Sequence, residues 1–255
     1  MIRIQGITKS FSGEEVLKGI DASFVPGKCN LIIGLSGSGK TVLLKSIIGL
    51  HHQDSGEIYF DDKRQHDMTA KELKLLRQNM GVVFQASALL TSLSVRENVQ
   101  LPLDFFSNMD DKTKAERVDY CLDRVRIPPE AIDKSPSELS GGMQKRVAIA
   151  RAIVMNPKYL FCDEPNSGLD PETAIVIDEL IKSITLEYNM TTVINTHDMN
   201  SVLEIGDNVL LLKNGVKAWE GSSAEILATD DESVVSYVFR SNLFKRVRQA
   251  FRDMA

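Results

Sequence analysis

Apolar and polar positions alternate with the period of a strand over residues 2–8, and similar short runs recur at 20–25, 29–33 and 57–60. Pro26-Gly27 and Asp54-Ser55-Gly56 separate these runs as turn signals. One helical pattern interrupts them over residues 39–49, where Val42, Leu43, Leu44, Ile47 and Ile48 line one face. The pattern changes over 86–155. This stretch reads as mostly helical, is charge-rich around 110–126, and is broken by Pro128-Pro129 and Lys134-Ser135-Pro136. Ser140 then precedes a long helical pattern through Val147, Ile149, Ala150 and Ile153. From Tyr159 strands and helices alternate: a strand at 159–163, a helix at 171–187, a strand at 191–196, a short helix, and two strands at 208–215 and 215–221. Such alternation predicts an α/β fold with a mostly parallel sheet covered by helices, into which the helical block is inserted. The chain shows no internal repeat.

Composition narrows the picture modestly. The 255 residues suffice for one large domain, with 43% hydrophobic and 25% charged positions, as in ordinary globular proteins. A net charge of −5 argues against a nucleic-acid partner. Cys29, Cys121 and Cys162 are widely spaced, make no CxxC pair, and read as thiols of a reducing compartment. The N-terminus lacks the apolar stretch of a signal peptide, and no run approaches the length of a membrane span. The expectation is a soluble protein whose membrane role, if any, comes through a partner.

Chemistry concentrates in three places. Gly34-Leu-Ser36-Gly37-Ser38-Gly39-Lys40-Thr41 is a complete GxxxxGK[ST] P-loop, set between a predicted strand and a predicted helix. Its glycines let the backbone wrap closely around phosphate, and N–H groups at the helix start bind the anion. Lys40 is positioned for the β- and γ-phosphates, and Thr41 for Mg²⁺. The second place is Asp163-Glu164, two acids at the end of the apolar strand 159–163. The carboxyl ends of parallel strands face the ligand crevice, so Asp163 suits Mg²⁺ and Glu164 suits the attacking water. The third is Leu139-Ser140-Gly141-Gly142-Met143, where Ser140 is a good N-cap and two glycines leave helix N–H groups open to an anion.

With these residues in order, the sequence resembles the ABC ATPases, whose signature LSGGQ and following basic, alanine-rich helix match LSGGMQKRVAIARAI here. The resemblance extends over residues 2–228. It implies that Phe11 stacks on adenine and that Gln85 marks the junction with the helical insert, as a catalytic and Mg²⁺-contacting group. It further implies that Asp170, in Asn166-Ser167-Gly168-Leu169-Asp170, lies near nucleotide, and that His197 is the switch histidine. The implied fold is a P-loop NTPase: a core with an antiparallel β portion (1–85 and 156–228), a helical subdomain (86–155) and a C-terminal helical extension (229–255), together one ABC ATPase domain of 1–255. Three positions depart from the family pattern: Met143 for glutamine, Phe11 for the commoner tyrosine, and Asn166 for threonine. None removes a catalytic group, since the ring alone suffices for stacking. His51, His52 and His66 have no comparable context and read as surface residues.

The resemblance also implies a mechanism: two copies close head-to-tail on ATP and Mg²⁺, Ser140, Gly141 and Gly142 of one covering nucleotide on the P-loop of the other. The interval between Gln85 and Leu139 is too short for the coiled-coil arms of DNA-repair members. Within the family, the run 87–99 (SALLTSLSVRENV) together with LSGGM looks like the ATPases of Mce/Mla-type phospholipid transport systems. That similarity implies an integral permease, an Mce-type substrate-binding subunit, and a position on the cytoplasmic face of the inner membrane. Another small-substrate importer, or a soluble ABC-type assembly ATPase, are the competing readings. Residues 240–255 carry Arg240, Lys245, Arg246, Arg248 and Arg252 against Asp253, with Leu243, Phe244, Val247 and Phe251 at helical spacing. An amphipathic helix is expected there, directed to lipid, to a partner, or to its own domain.

Overall fold

The computed structural model describes residues 1–254. In chain order it contains β1 (Ile2–Phe11), β2 (Glu14–Phe24), β3 (Lys28–Ile33), α1 (Lys40–Ile47), β4 (Ser55–Phe60) and the two-residue β5 (Lys63–Arg64). Next come α2 (Ala70–Gln78), β6 (Met80–Val83), α3 (Val95–Phe106), α4 (Asp111–Arg124), α5 (Gly141–Ile153), β7 (Tyr159–Asp163) and α6 (Pro171–Glu187). The chain ends with β8 (Thr191–Asn195), α7 (Met199–Ile205), β9 (Asn208–Lys213), β10 (Val216–Gly221), α8 (Ser223–Ala228), α9 (Glu232–Val238) and α10 (Asn242–Met254). Two compact units divide it: Met1–Met68 with Val193–Ala255, and Thr69–Thr192.

The first unit holds an antiparallel sheet in the order β2-β1-β4-β5. β1 sits centrally, with Ile2 opposite both Phe24 and Phe60 and Ile4 opposite both Ala22 and Ile58. These side chains are buried, which fixes the register because a one-residue slip would turn them outward. β1 and β2 are joined across Ser12 (φ 50°) and Gly13 (φ 85°), the pair of positive φ values that a tight hairpin turn requires. β2 therefore starts six residues before the alternation at 20–25 suggests. Its first half, with Glu14, Glu15 and Lys18 around Val16 and Leu17, is half-solvated and shows no alternation of apolar and polar positions. In the same unit β9 runs parallel to β3 and antiparallel to β10. β3 is buried from Cys29 to Ile33, the continuous apolar run expected of a strand covered on both faces. The Thr196 N–H just past β8 donates to Ile32 O at 3.2 Å.

The C-terminal amphipathic helix is present as α10. Arg248 and Arg252 are tied down within the unit. Both guanidinium groups donate to Asp230, at 2.9 and 2.7 Å, and Arg248 also donates to the Thr229 carbonyl. Arg248 further lies over the Phe239 ring at 4.9 Å. Leu243 stays 65% exposed.

In the second unit β6 and β7 pair in parallel, and Gly81 admits the backbone of α5: a Cβ there would fall on the Ala152 carbonyl. No element between Phe60 and Gln85 stands out in the sequence, yet α2 and β6 form there. α2 begins in a capping box between Thr69 and Glu72. α3, α4 and α5 realise the expected helical block. α5 buries Val147, Ala148, Ile149 and Ala150 in succession, so it is enclosed rather than amphipathic.

Candidate functional site

In the first unit the loop 34–41 leaves β3 and enters α1. Gly34 is hemmed in: a Cβ would strike the Leu212 carbonyl and the Ser38 hydroxyl. Gly39 has φ 102° immediately before the helix, which a side chain would resist, and a Cβ would lie 2.9 Å from Leu17 Cδ2. Lys40 is buried, and its Nζ donates to Gly34 O at 2.9 Å and Leu35 O at 3.2 Å, so the ammonium is stored against the loop it serves. Ser38 Oγ is buried with no hydrogen-bond partner among the described residues. A buried hydroxyl in that condition is costly, and an oxyanion seated in the loop would satisfy it. Ser36 and Gly37 are exposed, and Thr41 is half-buried at the start of α1. The loop thus fits a nucleotide phosphate.

Phe11, at the end of β1, is 40% exposed. His51 packs edge-on against it, with ring centroids 5.3 Å apart, and Lys9 Nζ lies 5.4 Å from the same ring. His51 is therefore half-buried in a small aromatic and cationic group, a correction to its reading as a surface residue without context. His197 follows β8 as an exposed residue, and the next N–H, of Asp198, donates to Thr196 Oγ1 at 3.0 Å.

In the second unit Asp163 ends β7 and is buried, and Glu164 follows at φ 49°. A non-glycine residue in that region is strained by about 1–2 kcal/mol, so the surroundings hold it there. Gln85 reaches the same point: its Nε2 donates to Glu164 Oε2 at 3.1 Å and to Ser167 Oγ at 3.3 Å. α5 holds Gln85 from behind. Lys145 Nζ donates to the Gln85 carbonyl, and Arg151 donates to Ser87 O and Ala88 O, both at 2.8 Å. Burial pushes both cations below their ordinary values, and for Lys145 the charges of Cys162 and Glu164 work in the opposite direction. Ser87 and Ala88 both take positive φ, so the chain after Gln85 is bent and clamped.

Lys145 and Arg151 do not emerge from the sequence as site-supporting residues. Their only signal is their place among the basic residues of a helix rich in alanine and β-branched residues. Asn98 adds a further hold on this segment. Its buried amide donates to Leu90 O at 2.9 Å and Ser94 O at 2.9 Å, and its carbonyl accepts from Leu90 N at 2.8 Å.

Ser140 caps α5 as expected, its hydroxyl accepting from the Met143 N–H at 3.3 Å. Met143 thus contributes a backbone donor that its side-chain identity does not alter. Ser140 and Gly141 are exposed, while Gly142 faces inward. Asp170 caps α6, accepting from Thr173 N at 3.0 Å and Thr173 Oγ1 at 2.6 Å, and the Thr173 hydroxyl holds its carboxyl below the usual range. Asn166 donates to the carboxylate of buried Asp178 at 3.3 Å, which explains an amide at that position. All three cysteines are buried thiols.

A phosphate loop after a strand in the first unit, and in the second two acids at a strand end and a serine-capped, glycine-rich helix start, are the parts of a nucleotide-hydrolysing P-loop domain. The sequence profile described as ABC transporter matches residues 17–167, and the chain belongs to that family as an ATPase domain. Among curated relatives it is 41% identical over 212 residues to the methionine import ATP-binding protein MetN of Clostridium tetani, covering 83% of this chain and 66% of that protein. It is 35% identical over 236 residues to the probable ribonucleotide transport ATP-binding protein mkl of Mycobacterium leprae, covering 92% and 67%. The chain thus spans about two thirds of these relatives. Among solved structures it resembles dimeric MJ0796, a bacterial ABC transporter cassette (TM-score 0.80, 34% identity, 88% of this chain and 99% of that one). It also resembles cbiO1 of Clostridium perfringens, part of the transporter complex cbiONQ (TM-score 0.82, 32% identity, 98% of each).

Proposed function

We propose that the chain energises phospholipid transport, working as a pair of identical copies beneath an integral permease on the cytoplasmic face of the inner membrane, with an Mce-type subunit supplying substrate. In this reading the loop 34–41 and Lys40 hold the ATP phosphates, and Phe11 stacks on the base. Thr41, Asp163 and Gln85 would hold Mg²⁺, which when bound would neutralise phosphate charge. Glu164 accepts a proton from the attacking water and His197 steadies the phosphate as it is cleaved. Ser140, Gly141 and Gly142 cover the nucleotide of the second copy, and Asp170 lies beside it.

The observation that carries a transport role is the chain of contacts through Gln85. Its side chain bonds Glu164, while its carbonyl and the two residues at 87 and 88 are held by Lys145 and Arg151 of α5. A partner pressing on the segment after Gln85 would therefore shift the catalytic base and the signature helix together. The dimer is supported by the dimeric state of MJ0796 and by the exposed start of α5, an anion-binding end with room for a ligand. The lipid reading rests on the run 87–99 with LSGGM. The identity to MetN favours a second reading, amino-acid import.

The test places the chain with its co-purified permease in vesicles and follows ATP-driven transfer of a fluorescent phospholipid, with methionine uptake measured in parallel. Lipid transfer that Glu164→Gln lowers by about 10²–10⁴-fold, with ATP binding intact, is the expected result. Methionine uptake without lipid transfer establishes the second reading instead, and undiminished ATPase in Glu164→Gln removes Glu164 from its role.

A further inference from the structure

We infer that Tyr237, on α9 in the C-terminal extension, is a positioning residue for the phosphate loop. The Gly34 N–H donates to the Tyr237 hydroxyl at 3.2 Å. Gly34 is the first residue of the loop, and its carbonyl accepts from Lys40 Nζ at 2.9 Å. The peptide groups on either side of this residue are thus both held, one by the phosphate-binding lysine and one by the tyrosine.

No side chain could take the place of Gly34, since a Cβ there would strike the Leu212 carbonyl and Ser38 Oγ. A cavity of about 160 Å³, lined in part by Ser36, Gly37, Asn214, Ser236 and Arg240, opens between this part of the loop and α9. The tyrosine therefore reaches the loop across a gap, as a strut. α9 is itself seated by Val234 and Val238, both buried, and begins at Asp231, whose side chain caps it. The Tyr237 hydroxyl couples the position of α9 to the loop, so the C-terminal extension tunes nucleotide affinity. This residue lies well outside the stretch that the family profile matches.

The inference rests on the assignment of loop 34–41 to the ATP phosphates, and the experiment separates the two. The full-length chain and its Tyr237→Phe and Lys40→Ala variants are titrated with a fluorescent ATP analogue and Mg²⁺, and the thermal midpoint of each nucleotide-free protein is recorded. Tyr237→Phe keeps the ring and removes the hydroxyl that accepts from Gly34 N–H. The expected result is an affinity about two- to tenfold weaker, the range of one ordinary hydrogen bond, with an unmoved midpoint. An unchanged affinity in Tyr237→Phe, while Lys40→Ala loses binding, overturns the role of Tyr237 and leaves the loop assignment standing. A loss of affinity that comes only with a lowered midpoint also overturns it, because the tyrosine is then general packing. Full binding in Lys40→Ala overturns the loop assignment itself.

Discussion

At Gly142 a single methyl group decides what residue the helix accepts. An alanine there would place its Cβ 2.6 Å from Thr173 Cγ2, the end of a stiff β-branched side chain. Alanine in a helix is favoured over glycine by about 0.5–1 kcal/mol, but overpacking a tight contact costs about 1–3 kcal/mol. Gly142→Ala is therefore expected to destabilise the protein in chemical denaturation. In a Thr173→Ser background, where the methyl is gone, the same change is expected to stabilise it by about 0.5–1 kcal/mol, and a double-mutant cycle reads the difference. Residues of this kind divide into those visible in sequence and those hidden from it. Ser140 as a cap was legible because capping is decided within three residues. Lys145 was not, because its partner, the Gln85 carbonyl, is sixty positions away in the chain. The positive φ of Glu164 was equally hidden, since nothing about a glutamate announces a left-handed backbone.

Among the elements, α6 shows local chemistry at its clearest. Asp170 caps it, Pro171 occupies its first turn, and the expected span of 171–187 is the one observed. The Thr173 hydroxyl depresses the Asp170 carboxyl, so this cap contributes stability above the ordinary carboxylate range, near 3.8, and loses it as pH falls through the lower folded value. Thr173→Val keeps the shape and deletes the hydroxyl. Its thermal midpoint should lie below that of the wild type at pH 7, and the gap should close as the pH is taken below about 4. Elements that rely on distant partners were harder to read. The first half of β2 is half-solvated and bears charged residues, so only its pairing with β1 makes it a strand. β6 has four residues and includes Gly81, too few for a period to show, and forms because β7 lies beside it.

On the scale of the molecule, charge in the C-terminal segment proved to be partly internal. The sequence shows a basic amphipathic stretch but not which cations are held within the fold. Arg248 and Arg252 converge on Asp230, and Arg252 holds the carboxyl below its usual range. Asp230→Asn is expected to speed hydrogen exchange throughout α10 while leaving the overall thermal midpoint unchanged, since exposed ion pairs contribute little to global stability. The α/β class and the inserted helical block were legible because period and order survive in any sequence that folds this way. The joining of the two chain ends in one core was read through the family resemblance alone, because contacts between them leave no trace in local pattern.

Those two ends have a bearing on synthesis. The first unit joins residues 1–68 to those from 193 onward, whereas the second is one uninterrupted stretch. β3 emerges early from the ribosome, yet β9, the strand that runs beside it, follows some way behind. At elongation rates of about 5–20 residues per second the wait is on the order of ten to thirty seconds. During it an apolar strand and the phosphate loop behind it stand without their neighbour, while the middle of the chain can already fold. The nascent polypeptide thus completes its helical block while β3 still lacks β9, which makes the ribosome exit the place where chaperone dependence would show.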